Sequence, residues 1–152
     1  MTDDDLLQPS LSGADVPATS IYSATTGYVA AFIGGPIGGA VVAMVNAWRL
    51  NRLAKDWPMA LLAVLITWTL LYWEIRLGGS PWLVEHLGNG GPRMLLRVVA
   101  LLYFVAIYGL HYRSYRNMAL LGIEPPSGWV LGFIGIAVGL AGTAGLTVLV
   151  QS

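Results

Sequence analysis

From Gly27 to Trp48 the chain runs twenty-two residues without a charged side chain. A helix needs about 20 apolar residues to cross a hydrocarbon core ~30 Å thick. In lipid every backbone N–H and C=O must be satisfied inside the protein, so such a run becomes a helix rather than an irregular loop. Three more apolar runs follow, over about 58–76, 94–112 and 129–150. Charged residues make up only 11% of the chain, against roughly a quarter in a soluble domain. The sequence therefore predicts an all-α membrane protein, a four-transmembrane-helix bundle over residues 27–152.

Residues 1–26 differ in character from the rest of the chain. They hold Asp3, Asp4 and Asp5 and then small and polar residues, and are expected to form a disordered polar tail. No Lys or Arg precedes the first apolar run, and that run is longer than a signal-peptide core, so it is expected to be retained as a helix. Arg97 and His111 enclose only 13 residues of the third run. Their long or amphipathic side chains reach the headgroups from near the helix ends. In the second connection, Ser80-Pro81 reads as an N-cap with proline at the first helical position, and Gly88 as the end of a short surface helix. Pro125 and Pro126 are expected to separate the third span from the fourth.

Basic residues set the orientation. Arg49, Arg52, Lys55, Arg113 and Arg116 fall on one side of a four-span topology, and Arg76, Arg93 and Arg97 on the other. The positive-inside rule then puts the first and third connections in the cytoplasm and both termini outside. Trp48, Trp57, Trp73, Trp82 and Trp129 lie near span ends, where indoles favour the interface.

Glycine is the residue most suited to bringing helices together in lipid, because bare backbones pack closely. The first run holds Gly34 with Gly38 and Gly35 with Gly39, around Pro36. The fourth holds Gly132, Gly135, Gly139 and Gly142 in one seam. Either the seams pack the first and fourth helices inside one bundle, or one of them faces outward to a second copy or another membrane protein. Pro36 lacks an amide proton and is expected to kink the first helix. Broken helices form transport sites in some carriers, although a packing kink is the commoner outcome. No Lys-Ser or Lys-Thr follows these glycines, so they are not a phosphate loop.

Glu74 is the one carboxylate the sequence places near a hydrophobic span, and with Arg97 it forms a candidate ion pair at the same membrane boundary. Asn46 is expected to hydrogen-bond a neighbouring helix. His86 and His111 fall on opposite sides and form no metal or haem pair. His111 lies instead among Tyr108, Tyr112 and Tyr115, as in an interfacial aromatic belt. There is no cysteine, so thiol catalysis, disulfides and cysteine metal sites are excluded. No spacing suggests a catalytic triad. No catalytic, cofactor-binding or metal residue is assigned, and a net charge of zero gives no field for nucleic acid.

Tyr22-Ser23, the run from Phe32 to Gly39, and Asn46 followed by Arg49 and Arg52 resemble the opening of an uncharacterised family of small bacterial four-helix inner-membrane proteins. They share the polar tail, a Gly-Gly-Pro first helix and an asparagine before a basic turn. The resemblance covers about 30 residues and implies a bacterial inner-membrane setting without an activity. The expected function is non-catalytic. It rests on contact with lipid and with itself or another membrane protein, as an accessory subunit or an immunity protein. A small oligomeric transporter or channel is the alternative.

Overall fold

The structure, a computed structural model, describes residues 20–79, 81–120 and 122–152. Most of the polar tail and the N-cap expected at Ser80 lie outside the described residues. Five α-helices follow one another: α1 (Ala24–Arg49), α2 (Leu53–Arg76), α3 (Pro81–Leu87), α4 (Gly91–Leu120) and α5 (Trp129–Gln151). All but the short α3 are long and apolar enough to cross a membrane. The fold is an all-α bundle of four long helices. The exposed side chains of α2, α4 and α5 are mainly large and apolar, as a lipid-facing surface requires.

The course of α1 is the main departure from the sequence reading. Gly35 has φ 72° and ψ −169°, in the middle of an otherwise helical run. That backbone region is essentially open only to glycine. There the chain reverses, and α1 becomes two antiparallel arms, residues 24–34 and 36–49. The amide of Tyr22 donates to Asn46 Oδ1 at 2.9 Å, and Arg49 Nη1 donates to the carbonyl of Ser20 at 2.6 Å. An unbroken helix would hold Tyr22 and Asn46 about 36 Å apart. Pro36 does not kink a continuing helix. It opens the second arm, where its fixed φ suits a first helical position and its missing N–H costs nothing.

Ser20 consequently lies beside Arg49 at one end of the bundle. α2, α4 and α5 then cross in turn, which carries Ser152 to the other end. Four straight crossings would have put Ser20 and Ser152 at one end of the bundle; with α1 folded back, they lie at opposite ends.

Cap chemistry sets the other boundaries. Ser23 is extended and accepts from the amide of Thr26 at 3.4 Å, so α1 starts three residues before the expected Gly27. α4 runs eight residues past the expected Tyr112. Its segment from Arg113 to Leu120 contains no glycine or proline to stop it. Gly122 stops it, with φ 64°. The Gly122 amide donates to Ala119 and that of Ile123 to Met118, the paired bonds of a glycine-terminated helix. Gly88, φ 67°, ends α3 as its sequence predicts.

The α1 hairpin is the centre of the molecule. Its second arm faces α2: Ala40, Ala43 and Met44 share a core with Ala63 and Met59 of α2. Phe104 of α4 is 1% exposed and wedges between the arms. An added Cβ on Gly27 would overlap its ring, and one on Gly39 would stand 3.4 Å from its Cδ2. α5 packs along the remaining side. α4 and α5 make no Cα approach within 8 Å among the described residues, so the first arm stays open between them at Thr25, Val29, Phe32 and Ile33.

Candidate functional site

Three features stand out: the hairpin with its seam, the polar cluster at its open end, and the outward surface of α5.

The two glycine seams meet each other. A Cβ on Gly34 would lie 3.0 Å from Ile136 Cα, and one on Gly38 would lie 3.0 Å from the Gly135 carbonyl oxygen. In return, a Cβ on Gly135 would lie 3.0 Å from the Gly38 oxygen, and one on Gly139 would collide with the Gly34 carbonyl. Gly142 faces Ile37, and Gly132 faces Thr26. Gly38 and Gly39 also close the hairpin on itself. Added Cβ atoms there would stand 2.5 Å from the Ala30 oxygen and 2.9 Å from Ala31 Cβ. Of the two arrangements left open by the sequence, the inward one is found. Gly35 differs from the rest: the space beside it is free, with Thr143 Oγ1 and Leu96 Cδ2 at 4.0 Å from an added Cβ, and its role is conformational.

At the open end, Asn46 is 3% exposed and binds both polar atoms of the Tyr22 backbone. Its Oδ1 accepts from the amide, and its Nδ2 donates to the carbonyl at 3.3 Å and to Tyr115 Oη at 3.0 Å. One side chain thus ties the approach to α1, the end of α1 and α4. Arg49 stacks its guanidinium 4.5 Å from the Tyr22 ring centre. Of the expected aromatic belt, Tyr108 and Tyr115 are half-buried with ring centres 4.9 Å apart, and Tyr112 is exposed; Tyr28 on the first arm meets Phe104 edge-on at 4.9 Å.

Beside this cluster, His111 Nε2 lies 2.8 Å from Asp56 Oδ2, and His111 is 4% exposed. Arg52 Nε approaches the same oxygen at 3.9 Å. Glu74 is therefore not the one carboxylate near a span. The sequence conceals Asp56 because α2 begins at Leu53, five residues before the apolar run, which draws Asp56 into its first turn. Acidic residues favour that position.

Glu74 and Arg97 do not form an ion pair: the Arg97 guanidinium does not come within 4.0 Å of the Glu74 carboxylate. The Arg97 guanidinium lies 5.2 Å from the Phe32 ring centre, near the hairpin tip. The Glu74 side chain borders a shallow recess with Leu71, Pro92 and Leu96. His86 is exposed, donates from Nδ1 to the Trp82 carbonyl at 2.9 Å and stacks on the Trp82 ring.

The outer face of α5 carries a second small-residue seam. Ala137, Ala141 and Gly145 recur at i, i+4 and i+8, all exposed, and among the described residues nothing lies within 4 Å of a Cβ built on Gly145. A glycine search misses it because two of its three members are alanines. The helical phase opposite Gly135 and Gly139 was the signal that could have found it.

No protein-family model, curated protein or solved structure matches the chain.

Proposed function

We propose that this is a non-catalytic, multi-pass protein of a bacterial cytoplasmic membrane that works through helix contacts, as an accessory subunit or an immunity protein. The outward seam of Ala137, Ala141 and Gly145 carries this reading. Small residues in register let a second membrane helix approach closely, where packing rather than hydrophobicity drives association. Gly34, Gly38, Gly39, Gly132, Gly135, Gly139 and Gly142 are already engaged within the chain, so they leave this face for a partner.

The proposed orientation follows the basic residues. Arg49, Arg52, Lys55, Arg113 and Arg116 lie toward the open end of the hairpin, and Arg76, Arg93 and Arg97 toward the other. The open end and the N-terminal side face the cytoplasm, and the C-terminus faces outside.

Native mass spectrometry of the gently solubilised protein, taken from cells at natural expression, tests the reading. A second, different protein in the complex, lost on Ala141→Leu, supports it. A chain that stays alone in wild-type form sinks it. The immunity version also requires that cells lacking the protein be killed by a neighbouring or co-delivered toxin.

The reversal at Gly35 favours a second reading, a small oligomeric transporter or channel. Helix ends brought to mid-membrane are the usual material of ion and substrate sites. Flux into proteoliposomes that is unchanged by Glu74→Gln and Arg97→Ala counts against it.

A further inference from the structure

An open groove of about 540 Å³ runs between the first arm of α1 and the start of α5. Its mouth is bordered by Ser23, Thr25 and Ser127. Its shaft is lined by Val29, Ile33 and Phe133. From this shape and polarity we infer that the groove holds an acyl chain of a phospholipid from the leaflet around the hairpin's open end.

Depth is the first argument. From Ser23 to Ile33 the arm rises about 15 Å, which is half of a ~30 Å hydrocarbon core. The groove ends where the arm ends, at the Gly35 reversal. It is thus one leaflet deep, the reach of a lipid tail and half that of a spanning helix.

The second argument is the gradient along the groove, which matches a molecule with a polar head and an apolar tail: the hydroxyls of Ser23, Thr25 and Ser127 stand with Pro125, Pro126 and Trp129 at the boundary, and only hydrocarbon lies below. The first arm is open to the bilayer on this side because α4 and α5 do not meet among the described residues, so a lipid enters laterally without unfolding anything.

The test places a photoreactive benzoylphenylalanine at Phe133, 66% exposed, and in a separate protein at Leu65 of α2, 50% exposed. Both are irradiated after purification in mild detergent and weighed intact. The expected result is an added phospholipid mass at position 133 and none at 65, where lipid contact is transient and washes away. Val29→Trp and Gly132→Leu fill the shaft from opposite walls, and each is expected to lower the adduct about tenfold. Having two variants guards against one that fails to fold. Equal labelling at 133 and 65, or a cross-link from 133 into protein instead of lipid, overturns the inference.

Discussion

The backbone of Tyr22 is hydrogen-bonded at both its amide and its carbonyl to the side chain of Asn46, twenty-four positions further along the chain and near the far end of α1. The Asn46 carboxamide imitates a strand neighbour. It satisfies a peptide unit that has left regular structure at the membrane boundary, where an unpaired group is costly.

Asn46→Ala removes that satisfaction from Tyr22 and frees Tyr115 Oη. Each buried polar group left unpaired costs about 1–3 kcal/mol. A marked fall in the thermal midpoint in detergent is expected. An unchanged midpoint would mean that Tyr22 is hydrated and the clamp contributes nothing.

Gly35→Ala and Pro36→Ala separate the two candidates for the break. Alanine at 35 must adopt a glycine-only conformation, at about 1–3 kcal/mol, although space for its methyl exists. Alanine at 36 keeps the helical start and mainly loosens the unfolded chain, at under about 1 kcal/mol. Equilibrium unfolding of both variants decides the point. If Pro36→Ala is the more damaging, proline rather than glycine sets the reversal.

Gly139→Leu and Gly145→Leu form a matched pair on one helix. Leucine at 139 drives a side chain into the Gly34 carbonyl and is expected to destabilise by at least about 1–3 kcal/mol. A Cβ at 145 has nothing within 4 Å among the described residues, so leucine there should leave the midpoint unmoved while weakening any complex that uses the outer seam. Thermal unfolding and co-purification, run on both, distinguish a fold contact from a partner contact.

The absence of cysteine makes topology directly measurable. Single cysteines at Ser20 and Asn51 are expected to react with an impermeant maleimide from the same side of the membrane, and one at Ser152 from the other. Reaction of Ser20 and Ser152 from one side would show four complete crossings and remove the hairpin.

Much of this architecture is readable from residues alone. Apolar runs locate four long helices because lipid leaves the backbone few alternatives. The seams of Gly34, Gly38, Gly135 and Gly139 announce a close contact, since bare backbone has little other use at that spacing. The reversal at Gly35 is not readable in the same way. Hydropathy is blind to direction, and a hairpin of two half-length arms has the composition of one full-length helix. Asn46 carried the clue, an amide too polar for a lipid-facing helix end, but its partner Tyr22 lies in a stretch that reads as tail. The His111–Asp56 pair is hidden for a related reason. It joins a residue at the end of one apolar run to a residue just outside another, and neither is conspicuous until α2 is seen to start early.

Because α1 turns back part-way, the molecule does not displace equal area at its two surfaces. Around the open end of the hairpin five helical rods pass through the leaflet, two arms with α2, α4 and α5. Beyond the Gly35 tip only three continue. Such a body is a wedge. Many copies in one patch would crowd one leaflet more than the other, and the sheet would bend toward the narrow end.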